Sequence, residues 1–474
     1  MSDCESHDSN DTSNSFDESY TDLKYTDAVD YLNSFVNFER VAETRERTNG
    51  ADLQRFTDLL TAIGSPHRQY PVIHVAGTKG KGSTAVILAS ILRASGLRVG
   101  LYTSPHLVTI RERMRVDGRM VSKDEFASLM LALKRAPEEV RLSQNIAFRT
   151  VFEHLTAMAL LHFQRKSVDI AVVEAGMGGK LDTTVVLDPI ISILTPVGLD
   201  HTAILGETIS EIAWDKAHII KPHTPAVVAL QTKEATDRFV EMAEKVSALL
   251  TISEGRDEFR LVSHKLAGLE FVQKNDPENV QYKTRLSGNY QLSNISTVFT
   301  AVNLLRRQGW EIPVEAVRDG IGNLRWDGRC QIVSQKPLIV LDGAHNPLGV
   351  ETMVKSIQER VPGKKWNIVF AAMKNKNIPE MLHALEPLNG KYFFCKIQFP
   401  KSWFKNYVLE TMPDVLKLGS WRTSAPESYQ RAVSAAGKDE GVLVIGSLYL
   451  VGEILRHLKG MPTPHSDGRI DERI

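Results

Sequence analysis

The 474-residue sequence has few cysteines, no surplus of positive or negative charge and no long hydrophobic run. Its three cysteines (Cys4, Cys330 and Cys395) lie far apart without metal-binding spacing, which is typical of a reducing compartment and argues against a disulfide framework. Lys plus Arg and Asp plus Glu each number 57, so the composition indicates no overall basic surface for nucleic acid or membranes, although a local basic pocket stays open. No apolar run reaches membrane-spanning length, since Glu453 interrupts the run at 442–455.

The N-terminal segment lacks the features of a targeting peptide. Residues 1–20 are rich in Ser, Asp and Asn, and no Lys or Arg precedes Lys24. A transit peptide would be rich in arginine, and a signal peptide would have an apolar core. We therefore expect a disordered acidic tail over residues 1–24 and a cytoplasmic location.

What the sequence does have is the composition and alternating pattern of a large α/β protein. It is 42% hydrophobic and 24% charged, and its length predicts two or three domains. Apolar runs such as 169–173 and 189–194 are of the kind buried in a parallel sheet, and they alternate with predicted helices. This pattern predicts a doubly wound α/β domain over residues 25–326, then a smaller Rossmann-like α/β domain over 327–460 and a flexible tail over 461–474.

Several shorter segments carry local predictions of secondary structure. Helices are predicted at 26–38, 123–134 and 150–164. Strands of the second domain are predicted at 338–341, 367–371, 391–397 and 442–445. Shorter alternating runs between 251 and 286 predict a small antiparallel addition to the first domain.

Residues 74–83, with the sequence HVAGTKGKGS, predict a phosphate-binding loop between a strand and a helix. Three glycines let backbone N–H groups close on an anion, while the helix N-terminus and Lys81 add positive charge. The generic Walker A pattern does not fit, because Val75 stands at its first glycine position and Gly82 separates Lys81 from Ser83. A plain glycine-rich turn beside a strand is the alternative interpretation.

Polar side chains follow two of the predicted strands. Glu174 ends one apolar run, and Asp200 and His201 follow the run at 191–194 after a short loop. In a doubly wound sheet such loops share one crevice, so Ser83, Glu174 and His201 are candidate ligands for one or two Mg²⁺ ions beside bound phosphates. For a lone Glu or His at a strand end, a hydrogen bond or a surface charge is the alternative.

Five motifs occur together and in order along the chain. They are HVAGTKGKGS at 74–83, SPHL at 104–107, EAGMGGKLD at 174–182, LDHT at 199–202 with Lys216 beyond it, and LDGAHNP at 341–347. This ordered set resembles the folylpolyglutamate synthase/dihydrofolate synthase family of the Mur ligase superfamily. The resemblance implies an ATP-binding Mur ligase-like first domain and a glutamate-ligase second domain.

The resemblance implies an enzyme that uses ATP to form an amide bond. ATP would phosphorylate a carboxylate of dihydropteroate, of a (tetrahydro)folate or of both, and the α-amine of L-glutamate would attack the acyl phosphate. A carboxylate is a poor electrophile until its oxygen becomes a good leaving group, and the phosphoryl transfer needs charge neutralisation and alignment. The implied cofactors are ATP and two Mg²⁺ ions, the implied partners are small molecules rather than nucleic acid or membrane, and the implied oligomeric state is a monomer.

The resemblance also implies roles for individual residues. The metal ligands would be Ser83, Glu174, His201 and Lys216, the last as a carbamate that turns a cation into a carboxylate-like group. The nucleotide would contact Gly77, Thr78, Gly80, Lys81, Gly82, Ser83, Thr84, Gln291, Asn294, Arg329 and Asp342. The catalytic residues would be Lys81, Lys216 and His345. The acceptor pocket would be lined by Thr150, Phe152 and Asp182, and Ser447 would help to place the acyl phosphate or the glutamate.

The sequence departs from the family pattern at the acceptor end of the site. Lys180 stands where the family has arginine and Val185 where it has asparagine, which removes a bidentate donor and a hydrogen-bonding group. Two other functions therefore stay open: a Mur-type amide ligase for a different carboxylate acceptor, and a nucleotide-binding switch without turnover. A nicotinamide dehydrogenase is disfavoured, because Leu181 stands at the third glycine position of G-x-G-x-x-G.

Overall fold

The computed structural model describes residues 23–37, 50–135, 150–266 and 268–461. Its α-helices are α1 (Tyr25–Asn33), α2 (Gly50–Ala62), α3 (Lys81–Ala94), α4 (Lys123–Lys134), α5 (Val151–Arg165), α6 (Thr202–Leu205), α7 (Ile209–Ala217), α8 (Lys233–Lys245), α9 (Tyr290–Arg307), α10 (Val314–Gly322), α11 (Pro347–Arg360), α12 (Ile378–His383), α13 (Lys405–Thr411), α14 (Ala425–Ala435) and α15 (Leu448–Leu458). None of the helices in these ranges has the length and apolar character needed to cross a membrane. Apart from residues 23, 24 and 461, the two predicted tails lie outside the described residues.

The strands form three sheets, one large, one small and one in the second half of the chain. They are β1 (Val72–Ala76), β2 (Val99–Tyr102), β3 (Met114–Val116), β4 (Arg119–Met120), β5 (Ile170–Glu174), β6 (Ile191–Leu194), β7 (Ala226–Val228), β8 (Leu250–Ile252), β9 (Phe259–Lys265), β10 (Gly268–Gln273), β11 (Gln281–Thr284), β12 (Gln331–Gln335), β13 (Leu338–Leu341), β14 (Lys365–Phe370), β15 (Lys391–Cys395), β16 (Gly419–Arg422) and β17 (Glu440–Ile445). This mixed α/β architecture with two units confirms the predicted fold class.

The large sheet has the strand order β4-β3-β2-β5-β1-β6-β7-β8 and is parallel from β2 to β8. Val75 of β1 lies beside Glu174 of β5, and Ala76 lies beside Leu194 of β6. The three strands therefore end at one edge, where the loops that follow them meet. This edge is the site expected for ligands in a doubly wound sheet.

Both faces of the large sheet are covered, which explains why its central strands are apolar without alternation. Ile73 and Val75 of β1 belong to a core shared with α3, α9 and α10. Ala171 and Val173 of β5 belong to the opposite core, shared with α1, α4 and α5. The buried helix α3 thus carries the phosphate loop on a rigid element inside the domain.

The small sheet is antiparallel, with the order β11-β10-β9, and it packs on α9 through an aromatic cluster that includes Phe259, Phe271 and Phe299. The predicted antiparallel addition at 251–286 begins too early, because β8 pairs in parallel with β7 at the edge of the large sheet instead. The strands of the addition begin at Phe259.

The second unit is a six-stranded sheet with the order β12-β13-β17-β14-β15-β16, and β12 alone among these strands is antiparallel to its neighbour. Its core holds large aromatic side chains, among them Trp366, Phe370, Phe394 and Trp403. The predictions for this unit covered β13, β14, β15 and β17, all flanked on both sides, and missed the edge strands β12 and β16.

Helix α1 ends at Asn33, earlier than the predicted helix at 26–38. After a turn, Val36 forms a bridge with Thr150, and the Val151 N–H donates to the Val36 carbonyl at 3.0 Å. The helix therefore ends early because Val36 pairs with a distant segment, although the apolar periodicity of residues 26–38 favours a helix. Residue 38 lies outside the described residues.

We predict that a buried ion pair stabilises the first unit near the N-terminus of α5. Arg55 Nη2 of α2 donates to Glu153 Oε1 at 2.5 Å, and both side chains are buried. Because Arg55→Ala leaves a buried carboxylate without its cation, it should lower the free energy of unfolding by about 3–5 kcal/mol in urea denaturation. The control Lys233→Ala removes an exposed pair with Asp237 and should cost less than about 1 kcal/mol; equal costs would contradict the prediction.

Candidate active site

The phosphate loop is clamped onto the end of β6. The N–H groups of Thr78 and Lys79 donate to the Pro196 carbonyl at 3.1 and 3.0 Å. Gly77 has φ +145°, and a Cβ there would lie 2.0 Å from Thr195 Oγ1, so only glycine fits. The loop then enters α3 at Lys81, where the N–H groups of the first helical turn have no acceptor within the helix and can donate to a bound anion.

Gly82 brings the carboxylate of Glu174 close to the start of α3. A Cβ on Gly82 would lie 3.4 Å from Glu174 Oε2 and 3.2 Å from the Trp326 ring. The Ser104 N–H donates to Glu174 Oε2 at 3.0 Å. Burial raises the pKa of the Glu174 carboxyl above its ordinary value, while the nearby Lys81 opposes this shift.

A second polar cluster lies between α3 and the first turns of α9. Gln291 Nε2 donates to Ser83 Oγ at 3.5 Å, and Asn294 Nδ2 donates to Gln291 Oε1 at 2.8 Å. A Cβ on Gly80, which has φ +84°, would lie 2.4 Å from Asn294 Oδ1. The structure thus brings Gly80, Ser83, Gln291 and Asn294 together, whereas Thr84 is fully buried within α3.

Lys216 lies on α7 beneath the glycine turn that follows Glu174. Its residue is only 3% exposed, and a Cβ on Gly179 would lie 2.8 Å from the Lys216 Cα. The Gly179 N–H donates to Asp215 Oδ1 at 2.7 Å, which fixes the turn to α7. Burial, helped by the charge of Lys81, lowers the pKa of Lys216 to about 7, so a large fraction of its amine is neutral near neutral pH.

His201 lies at the N-terminus of α6, in the loop after β6. It has φ +51°, and its N–H donates to Asp200 Oδ1 at 3.0 Å. The same Asp200 oxygen accepts from Lys376 Nζ of the second unit at 2.8 Å. Although burial favours the neutral acid, the ammonium of Lys376, with a further contribution from the nearby His201, holds the pKa of Asp200 below its ordinary value.

The second unit contributes residues from the ends of β13 and β17. Asp342 is buried and accepts the N–H groups of Cys330 and Ala344 at 2.7 and 2.8 Å, with the Arg329 guanidinium close by. His345 Nδ1 donates to the Gly343 carbonyl at 2.9 Å, so the other ring nitrogen of the neutral imidazole is an acceptor.

The second unit contributes a neutral imidazole at His345 and a buried hydroxyl at Ser447. Burial, with the charge of Lys376, lowers the pKa of His345 to about 4, so the imidazole is neutral near pH 7. Ser447 is buried at the N-terminus of α15, and its Oγ accepts the Tyr449 N–H at 3.1 Å. Its hydroxyl is therefore already engaged as a helix cap.

Two of the predicted acceptor residues, Phe152 and Asp182, meet around Gly176. A Cβ on Gly176 would lie 2.5 Å from the Phe152 ring and 3.1 Å from Asp182 Oδ2. Asp182 accepts the N–H groups of Met177 and Thr184, at 2.9 and 3.0 Å, and Thr150 forms the capping box of α5. The polar groups of Thr150 and Asp182 are thus used within the protein, and the ring of Phe152 is left as the contact surface.

The predicted metal ligands Ser83, Glu174, His201 and Lys216 are of mixed chemistry, and only Glu174 and His201 are acidic or imidazole side chains. In the described ranges, no three His, Cys, Asp or Glu side chains gather in a way that could hold a metal ion. Ser83 and Glu174 nevertheless flank Gly82, and their oxygens fit a Mg²⁺ ion that takes its other ligands from phosphates and water.

The sequence predictions missed four residues that the structure places at this site: Ser104, Asp200, Trp326 and Lys376. Ser104 stands in the quoted motif SPHL and Asp200 in LDHT, so position in a motif could have pointed to both. Trp326 and Lys376 carried no such signal, because their contacts with Gly82 and Asp200 join distant parts of the chain.

Comparisons with known proteins agree with this arrangement. The chain matches the family models "Mur ligase middle domain" over residues 75–302 and "Mur ligase, glutamate ligase domain" over residues 328–448. It is 32% identical over 412 residues to a dihydrofolate synthase/folylpolyglutamate synthase of Bacillus subtilis, covering 86% of this chain and 95% of that protein. It is 30% identical over 448 residues to a folylpolyglutamate synthase of Lacticaseibacillus casei, covering 92% and 99% of the two chains.

A solved structure is similar over nearly the same length. The structure of E. coli FolC in complex with DHPP and ADP superposes with a TM-score of 0.77 at 28% sequence identity, covering 92% of this chain and 98% of that one.

Proposed function

The chain belongs to the folylpolyglutamate synthase/dihydrofolate synthase family of the Mur ligase superfamily, and we propose that it joins L-glutamate to dihydropteroate, to a folate or to both, with ATP as the energy source. The predicted family and enzyme class, an ATP-dependent ligase, are confirmed. The observation that carries the proposal is the contact of the buried Glu174 carboxylate with Gly82, at the start of the helix that follows the phosphate loop.

The proposed reaction has two steps. An acceptor carboxylate oxygen attacks the γ-phosphorus, and the bond to the bridging oxygen breaks so that ADP leaves. The neutral α-amine of glutamate then attacks the acyl carbon, the carbon–oxygen bond to phosphate breaks, and the nitrogen gives its proton to the released phosphate. Gly80, Lys81 and Gly82 hold the phosphates, and the acceptor nitrogen of His345 positions the incoming ammonium or amine.

We propose that two Mg²⁺ ions are bound, one by Ser83 and Glu174 and one by His201 and a carbamylated Lys216. When bound, these ions neutralise charge on the transferred phosphoryl group. The neutral Lys216 nitrogen would attack CO₂ and lose a proton, leaving a carbamate with two oxygens. The buried position and lowered pKa of Lys216 support this assignment, since only the neutral amine reacts.

The acceptor would lie beside Gly176, with its ring system against Phe152. Arg329, Asp342, Gln291 and Asn294 would contact the nucleotide from the far side of the phosphate loop. The domain limits at 25–326 and 327–460, the monomeric state, the cytoplasmic location and the absence of nucleic-acid or membrane partners stay predictions.

The test is ATP-dependent incorporation of labelled glutamate, measured separately with dihydropteroate and with tetrahydrofolate. We expect incorporation with at least one of the two, accompanied by one ADP per glutamate. Incorporation only with other carboxylates, such as nucleotide-linked peptides, would instead support a Mur-type ligase with a different acceptor. If no ADP is formed with any of these acceptors, the result would support a nucleotide-binding switch and contradict the proposal.

A further inference from the structure

We propose that Asp200 and Lys376 form an interdomain latch, which holds the second unit against the phosphate-loop unit and makes Lys376 a positioning residue for the reaction. Lys376 Nζ lies 2.8 Å from Asp200 Oδ1 and the two side chains are 15% and 16% exposed. The pair therefore lies largely out of solvent, where an ion pair is screened less than on the surface. The catalytic meaning of the latch rests on the ligase function proposed above, but its formation does not.

Lys376 is presented by a firmly held turn of the second unit, between β14 and α12. The Lys374 N–H donates to the Lys401 carbonyl at 2.9 Å, and the Trp403 N–H donates to the Ala372 carbonyl at 3.0 Å. Asn377 then caps α12 through its side chain. The position of the Lys376 ammonium thus follows the position of the whole second unit rather than the motion of a free surface side chain.

Asp200 connects Lys376 to the loop of the first unit that carries His201. Its Oδ1 atom accepts both the Lys376 ammonium and the His201 N–H. His201 has a left-handed backbone conformation, φ +51°, which is costly for a residue other than glycine and is held in place by such contacts. The latch therefore joins the backbone at His201 to the unit that carries His345.

The other contacts between the two units have different chemistry. Arg456 Nη1 donates to the Val108 carbonyl at 2.9 Å, and Arg360 Nη1 donates to Ser287 Oγ at 2.5 Å. Across the same boundary Asn289 Nδ2 donates to Glu359 Oε2 at 2.9 Å, and Asn289 Oδ1 accepts from Arg360 Nη2 at 3.3 Å. Each of these contacts pairs a charged group with a neutral one, whereas the latch pairs two opposite charges next to a predicted metal ligand. Loss of the latch should therefore alter the catalytic arrangement more than it alters the folding of either unit.

A double-mutant cycle with Asp200→Asn and Lys376→Met tests the pairing. Each single variant should lower kcat/KM for glutamate about 10–100-fold, because it leaves one charge without its partner. If the latch is real, adding Lys376→Met to Asp200→Asn should cost less than about threefold more. Independent roles would instead give the product of the two single effects and would overturn the latch.

Matched variants separate the latch from a general loss of structure. Lys376→Arg, which keeps the charge, should retain activity within about tenfold of the unmodified protein. Lys374→Met removes the neighbouring lysine, which lies over the rings of Phe404 and Tyr407, and should change activity less than about threefold. The affinity for ADP, whose phosphates the loop of the first unit would hold, should change less than about threefold in all of these variants; a larger loss would assign Lys376 to nucleotide binding instead.

A direct measurement of the distance between the units does not depend on turnover. Dyes would be attached to Glu244→Cys and Lys438→Cys, two exposed positions of the two units, in a Cys4→Ser background. With ADP bound, the unmodified latch should give one state of energy transfer, and Lys376→Met should shift the population toward longer distances. An unchanged transfer efficiency would refute the latch even in an active ligase, and a shift without any glutamate incorporation would refute only the proposed function.

Discussion

Replacement of Lys216 by alanine is expected to lower glutamate-dependent ADP formation by about three orders of magnitude. Lys216 is buried beneath the turn at Gly179, where a cation would face the charge of Lys81. As a carbamate the same side chain would hold a metal ion, and a metal ion contributes several kcal/mol to a charged transition state, with each 1.4 kcal/mol worth about tenfold in rate. Formate or acetate should restore part of the activity of the variant by placing a carboxylate in the space left behind.

The pH dependence of this prediction has a defined sign. Burial and Lys81 lower the pKa of Lys216 to about 7, so the neutral amine becomes more abundant as the pH rises through that value. Carbamate formation, followed with ¹³C-labelled bicarbonate by NMR, should therefore increase from pH 6 to pH 8, and the midpoint of this increase should lie at about pH 7. The control Lys245→Ala changes an exposed lysine beside Trp214 and should leave both the signal and the rate unchanged. A fully active Lys216→Ala variant would remove the carbamate role.

The sequence was sufficient to predict an element where the residues that define the element lie within it or next to it. Helix α4 has the predicted limits, because Ser122 and Glu125 form a capping box at its start. The strands β5 and β13 were found because continuous apolar runs are rare outside buried parallel sheets. The glycine loop was found because the backbone conformations of Gly77 and Gly80 require glycine, so their chemistry is visible in the sequence itself.

Contacts between distant segments could not be predicted in this way. The edge strands β12 and β16 are half-buried and lack an apolar run, so their pairing depends on the neighbouring strand. Asp200 of the first unit contacts Lys376 of the second unit, and no local sequence pattern around either residue predicts this contact. Thr150 and Asp182 cap helical turns in the fold, and their assignment to the acceptor by family resemblance stays a prediction. Residues that carry chemistry on a loop were therefore easier to name than the partners that position them.

Replacement of Glu174 by glutamine is expected to lower the rate of ligation by about three orders of magnitude with little change in folding. Glutamine keeps the size of the side chain and an oxygen that accepts the Ser104 N–H, so the contact at Gly82 survives. What is lost is the negative charge that would hold Mg²⁺ beside the phosphates, and the amide is a weaker ligand for a hard cation.

The test of Glu174→Gln compares the rate at saturating and at low Mg²⁺ concentrations. If Glu174 is a metal ligand, a high Mg²⁺ concentration should recover part of the lost rate. If Glu174 only accepts the Ser104 N–H, a high Mg²⁺ concentration should recover none of it. The matched control is Glu258→Gln, a half-buried carboxyl at the small sheet whose pKa burial raises to about 7, which should change the rate less than about threefold. Full activity of Glu174→Gln at every Mg²⁺ concentration would show that the carboxylate holds no metal, and the arrangement around Gly82 would then need another explanation.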